Sequence, residues 1–235
     1  METSASSERR ALVTGTSSGI GLAVALDLLG QGWHVTGFDV APSHIGHERF
    51  EAVRVDLCDD AAAHAAITAL PPLDAFVHAA GVLRVGPLGQ LAASDGALMW
   101  KLHVDAATRI ANHVLPAMAA AGRGRVVLIG SRVADGIAGR SQYAATKAAL
   151  RSLARSWAAE VVARSVTVNV VSPAATETPM LDDPARSTAA PKLPPIGRLI
   201  KPGEIASLVS YLLSPAAEAI TGQDIRICGG ASLGA

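Results

Sequence analysis

Between Ala11-Leu12-Val13 and Leu22-Ala23-Val24-Ala25-Leu26-Asp27-Leu28-Leu29 stands Thr14-Gly15-Thr16-Ser17-Ser18-Gly19-Ile20-Gly21, which carries three glycines. The short apolar run before the turn reads as a buried strand, and the longer one after it as a helix. In that setting glycines let the backbone approach a pyrophosphate, and the N–H groups and positive dipole of the helix start meet its charge. The spacing is G-x-x-x-G-x-G, a relative of G-x-G-x-x-G rather than a match to it. Two other readings use the same residues. One is a tight turn with no ligand. The other is a hydrolase nucleophile elbow, because Gly15-Thr16-Ser17-Ser18-Gly19 is also G-x-S-x-G. That elbow needs a histidine downstream, and none of the seven histidines follows His113.

The rest of the chain repeats the alternation. Trp33 to Phe38 reads as a second strand ending in Asp39, close to where the dinucleotide fingerprint places its acidic residue after Gly21. A carboxylate there suits a ribose 2′-hydroxyl and repels a 2′-phosphate, which favours NAD over NADP; a strand-end Asp opening a turn is the plainer alternative. The connection from Asp39 to the next strand, Glu51 to Val55, is brief and holds Pro42 and Gly46, so its crossover helix is expected to be short or irregular. A helix over about 59–69 follows Asp56-Leu57. Leu73 to Val77 is a strand closed by His78-Ala79-Ala80-Gly81, and one long helix is expected from about Ser94 to Ala121. Gly124 to Ile129 then leads through Gly130 to Ser131, and Val166 to Val171 leads to Ser172-Pro173. A helix over about 203–213 and a strand at Asp224 to Ile227 close the chain. Strands alternating with helices, several of them continuously apolar, predict one α/β domain over 1–235. Its frame is a Rossmann-like, doubly wound parallel sheet of about seven strands with helices on both faces. Residues 1–9 read as a flexible tail, and the proline-bearing stretch 174–201 as a loop covering the substrate.

Twenty basic and twenty acidic residues cancel, and aromatic residues make up 3% of the chain. Nucleic acid and membrane surfaces are therefore not expected partners. Cys58 and Cys228 lie far apart without metal-ligand spacing, so no metal is expected. The polar Met1–Arg10 stretch has no apolar core, and no apolar run is long enough to span a bilayer, which reads as cytoplasmic.

Ser141-Gln142-Tyr143-Ala144-Ala145-Thr146-Lys147 opens a helix with Ser141 as its expected N-cap. Tyr143 and Lys147, four apart, share one helix face. A lysine cation beside a phenol favours the phenolate, and lowering the phenol by about 3 units takes about 4 kcal/mol. An ordinary helix surface is the alternative for the pair alone. Ser131 stands one short loop before the tyrosine, close enough for that loop to return its hydroxyl to the phenol.

In order and spacing, these pieces resemble the short-chain dehydrogenase/reductase family over nearly the whole chain. They are Thr14-Gly15-x-x-x-Gly19-Ile20-Gly21, Asp56-Leu57, Ala79-Ala80-Gly81, Ser131, Tyr143-x-x-x-Lys147, Asn169-x-x-x-Pro173, Thr178, Thr221-Gly222-Gln223 and Gly229-Gly230. The resemblance implies Tyr143 as general acid/base, Ser131 as the group that orients the substrate oxygen, and Lys147 as ribose anchor and tyrosine tuner. It assigns the cofactor to Gly15, Ser17, Ser18, Gly19, Ile20 and Gly21, beside Asp39, Asp56 and Leu57. Ala79, Ala80, Gly81, Lys147, Pro173, Thr176 and Thr178 complete that set. Two departures stand out: His78 opens the fourth-strand turn where the family has Asn, and His103 replaces an Asn thought to hold a relay water. His103 could carry the water or shuttle protons, or be hydrogen-bonded inside the fold without a proton role. Ala174 also replaces a glycine common after Pro173. The expected activity is NAD-dependent interconversion of a small, largely apolar secondary alcohol and its ketone, in a pocket of Val82, Leu83, Val133, Ala175, Met180 and Leu181. Arg84 and Arg132 read as solvated cations, with an anionic substrate group the alternative. A homo-oligomer, dimer or tetramer, is implied by the resemblance, and a catalytically silent cofactor-binding scaffold is the alternative function.

Overall fold

The structure, a computed structural model, describes residues 8–181 and 192–233. Most of the expected tail and part of the expected covering loop lie outside the described residues. Seven strands form one parallel sheet: β1 (Arg10–Thr14), β2 (His34–Asp39), β3 (Phe50–Arg54), β4 (Ala75–His78), β5 (Gly124–Ile129), β6 (Val166–Pro173) and β7 (Asp224–Ile227). Their order is β3-β2-β1-β4-β5-β6-β7, and every pair is parallel. The continuous apolar runs are explained by burial on both faces. In β1, Leu12 joins one core, while Ala11 and Val13 join the opposite one. In β5, Val126 and Leu128 face the first, Val127 and Ile129 the second.

Helices α1 (Gly19–Gly30) and α6 (Pro202–Leu213) cover one face; α2 (Asp60–Thr68), α4 (Ala106–Ala121) and α5 (Ser141–Val161) cover the other. α5 buries Tyr143, Lys147, Leu150, Ala154, Ala158 and Val161, a stripe at three- and four-residue spacing that fixes which side of the helix meets the sheet. Its cap differs from expectation. Arg140 takes the cap position and Ser141 is already helical, with no side-chain bond closing the helix start. Residues 40–49 form no helix, as the brief connection required.

The expected single helix over 94–121 is three pieces. α3 (Ala93–Trp100) passes into a π turn at Lys101–Asp105 and then into α4. A π turn widens the helix by one residue and redirects the side chains at that point. His103 sits at its centre.

Candidate active site

The order of the sheet reverses between β1 and β4, and a crevice opens there at the carboxyl ends of the strands. Gly15 leaves β1 with φ +77°, and a Cβ on it would stand 2.9 Å from the backbone nitrogen of Ala80. At Gly21 a Cβ would lie 2.1 Å from the Gly15 carbonyl oxygen, so no side chain fits. α1 starts beside this cradle with Ser18 extended at its N-cap and no side-chain cap bond, which leaves first-turn N–H groups for a ligand. At the end of β2, Asp39 Oδ2 accepts the Ser17 N–H at 2.8 Å and Oδ1 accepts the Ala41 N–H at 2.9 Å. The backbone thereby aims the carboxylate. Tightly packed glycines, an uncapped helix start and an oriented carboxylate fit a dinucleotide's pyrophosphate and ribose.

At the other end, Lys147 is 5% exposed and its Nζ lies 5.8 Å from the centroid of the Tyr143 ring. The ammonium donates to the Ile129 carbonyl at 2.8 Å, and among the described residues no carboxylate pairs with it. Burial without a counter-charge pulls the lysine pKa down to about 7. Ser131 caps the turn Arg132–Asp135: its Oγ accepts the Val133 N–H at 3.1 Å, which leaves its O–H as a donor. Asp135, in that turn, meets Arg151 of α5 and Arg226 of β7, each at 2.7 Å. The Arg151 hydrogen bond also holds the Asp135 carboxyl below its usual range. These ion pairs tie the turn after Ser131 to the helix that carries Tyr143.

The two histidine departures explain the π turn. Thr14 Oγ1 accepts the N–H groups of Ala79 and Ala80, each at 3.0 Å, so its own proton goes to His78 Nδ1 at 3.0 Å. That leaves His78 Nε2–H to donate to the Leu102 carbonyl inside the π turn at 3.2 Å. From the π turn, His103 reaches back. Its Nε2 accepts the Val82 N–H at 3.0 Å. Thr146 Oγ1 donates to the Tyr143 carbonyl at 2.8 Å, so His103 Nδ1 must carry the proton it gives that oxygen at 2.8 Å. The rings therefore hold opposite tautomers and together clamp the end of β4 to the π turn. Burial, with Lys147 nearby, pushes His78 down to about 3 and His103 well below its ordinary value. The expectation that His103 holds a relay water is corrected on this geometry: both of its nitrogens are spent on protein partners, and it stands edge-on to Tyr143 with ring centroids 5.7 Å apart.

One cavity of about 690 Å³ joins both ends. Every residue assigned from sequence to catalysis, cofactor or substrate lines it. Leu83, Val133 and Tyr143 line it on the apolar side and pack in one cluster with the buried Met99 and Ala144. Sequence reasoning missed Leu98, Ile137, Arg140 and Lys192 as lining residues; isolated side chains on α3 and in loops carry no motif that could have marked them. Arg132, read as a surface cation, lines the cavity as well, whereas Arg84 bonds the Leu83 carbonyl and faces Asp95. The hydrolase alternative gains nothing, because the two buried histidines, His78 and His103, spend their nitrogens away from Ser17. Among the described residues, no three metal-ligating side chains gather, and no helix is long and apolar enough to cross a membrane.

Residues 15–232 match the family model described as Enoyl-(Acyl carrier protein) reductase. The 2,3-dihydro-2,3-dihydroxybenzoate dehydrogenase of Escherichia coli (strain K12) is 35% identical over 240 residues, covering 95% of this chain and 96% of that protein. A solved short chain dehydrogenase/reductase family protein superposes with TM-score 0.87 at 34% identity, over 95% of this chain and 97% of that one. An actinorhodin polyketide ketoreductase solved with NADPH superposes with TM-score 0.84 at 27% identity, over 97% of this chain and 98% of that one.

Proposed function

The chain belongs to the short-chain dehydrogenase/reductase family, and from that footing we propose an NAD-dependent oxidoreductase that interconverts a secondary alcohol and a ketone by hydride transfer. The observation that carries this reading is the convergence of Ser131, Tyr143 and Lys147 on a cavity whose far end is the glycine cradle. When bound, the nicotinamide supplies the hydride chemistry. The side chains handle the proton and the charge. In ketone reduction the Ser131 hydroxyl donates to the carbonyl oxygen, its own oxygen held by the Val133 N–H. As negative charge builds on that oxygen, the Tyr143 hydroxyl transfers its proton to it. The Lys147 ammonium, 5.8 Å from the ring centroid, stabilises the phenolate left behind. Oxidation of an alcohol runs the same transfers backwards. His103 acts one step away: it fixes Thr146 and the Tyr143 backbone, not the travelling proton.

Asp39 supports NAD, because an oriented carboxylate repels a 2′-phosphate; the ketoreductase with NADPH marks the competing case. Trp100 of α3, 46% exposed, supports self-association through the α3–α4 side as part of the same proposal. The test is direct: purified protein is assayed with NADH or NADPH against a ketone panel, and with NAD or NADP against the matching alcohols. Turnover with a several-fold NAD(H) preference is expected. Cofactor binding with no turnover of any substrate would turn the reading toward a silent scaffold.

A further inference from the structure

The cavity is electrically polarised. Its acidic lining residues are Asp39, the last residue of β2, and Asp56, just after β3, at the glycine end. The tyrosine end carries Arg132, next to Ser131, and Arg140, three residues before Tyr143, and no carboxylate besides Asp39 and Asp56 lines the cavity among the described residues. Arg132 is the informative one. It is half-buried, its Nε is shielded from solvent, and that nitrogen has no hydrogen-bond partner among the described residues. Other arginines nearby are compensated: Arg151 meets Asp135 and Asp224, and Arg226 meets Asp135. An N–H drawn from water without a partner costs free energy, and a planar fork of N–H donors matches a carboxylate.

Resting on the oxidoreductase reading above, we propose that Arg132 anchors an anionic group on the substrate, so that the enzyme acts on a compact hydroxy acid and its keto acid. Position decides for a compact acid. Arg132 follows Ser131 directly and both line one cavity, so the anion lies within the combined reach of two adjacent side chains from the oxygen that Ser131 orients. A carrier-bound thioester holds its phosphate at the far end of a long arm and would place it outside this reach. The apolar wall of Leu83, Val133 and Met180 packs the carbon frame between the two polar ends.

The experiment uses the NAD-loaded protein, with Arg132→Gln and Arg132→Lys. Binding is read first by calorimetry with cyclohexanecarboxylate and its methyl ester, neither of which needs to react. The wild type should bind the acid about tenfold to a hundredfold more tightly than the ester, the span of a charge-assisted hydrogen-bonded pair. Arg132→Gln should erase that preference while leaving NAD affinity unchanged, and Arg132→Lys should restore part of it. Turnover is then read with hydroxy acids and their esters: the glutamine variant should raise KM for the acids alone, with kcat nearly kept. Acid-selective binding without any turnover would keep Arg132 as an anion site and sink the oxidoreductase reading. Turnover of uncharged alcohols with no preference for acids would sink this proposal alone. A preference for a coenzyme A thioester over its phosphate-free N-acetylcysteamine analogue, lost in Arg132→Gln, would also overturn it, because the anion would then be the carrier's phosphate.

Discussion

At the glycine end of the cavity the fit to a ligand is made by backbone, whereas at the tyrosine end it is made by side chains held in place by other side chains. Gly15 and Gly21 act through the atoms they lack, and Asp39 is aimed by two backbone N–H groups. Ser131, Tyr143 and Lys147 instead depend on a capped turn, on ion pairs through Asp135 and on two buried histidines. The first kind of site tolerates almost no substitution at its glycines. The second rests on contacts that side chains of other types can make, as those of His78 and His103 do here.

The hardest way to break the glycine end is Gly21→Ala. With a Cβ placed 2.1 Å from the Gly15 carbonyl, backbone must move. A loss of roughly 3 kcal/mol of stability is expected, the upper part of the overpacking range, and NADH binding followed by fluorescence should disappear. A variant with wild-type urea midpoint and affinity would show that the turn is not a tight cradle.

The histidine clamp offers a smaller effect of distinct form. His78 titrates near 3 and His103 well below its ordinary value when folded, but both sit near 6.5 when unfolded. Below about pH 6.5 the unfolded chain binds the extra protons, so stability falls as pH drops, by up to about 1.36 kcal/mol per unit for each histidine. Between about pH 6.5 and 5 that amounts to about 1.6 kcal/mol for His78, and His103 adds to it in the same direction. His103→Asn should remove one proton from this slope in urea unfolding, and the wild-type pH–rate profile should show no inflection from His103. An unchanged slope would place the acid sensitivity elsewhere.

What could be read from sequence follows the same division. The glycine turn, the seven strands and the Tyr143–Lys147 stripe were legible because backbone clearance and helix periodicity leave local marks. The π turn at Lys101–Asp105 was not legible. It follows from His78 reaching the Leu102 carbonyl and His103 reaching the Val82 N–H, contacts between segments far apart in the chain. Helix propensity meets neither Gly nor Pro between Ala97 and Leu115 and joins α3 to α4. His103 was singled out as a departure, yet its role depends on Thr146, which donates elsewhere and so dictates the imidazole tautomer.

The mildest perturbation concerns cofactor choice. Asp39→Ala removes the charge and leaves the turn's glycines intact. The kcat/KM ratio of NAD over NADP should fall by about tenfold, near ~1.4 kcal/mol. Equal use of the two cofactors by the wild type would contradict the role given to this carboxylate.

If binding and chemistry reside at opposite ends of one cavity, Tyr143→Phe separates them, read by NADH affinity and single-turnover ketone reduction in the same preparation. The ring and its packing stay, and only the proton-bearing oxygen is lost. The expected NADH dissociation constant is within about twofold of wild type and the reduction rate lower by ~10²–10⁴-fold, the usual worth of a general acid. Near-normal turnover, or loss of NADH binding in step with the rate, would contradict that separation.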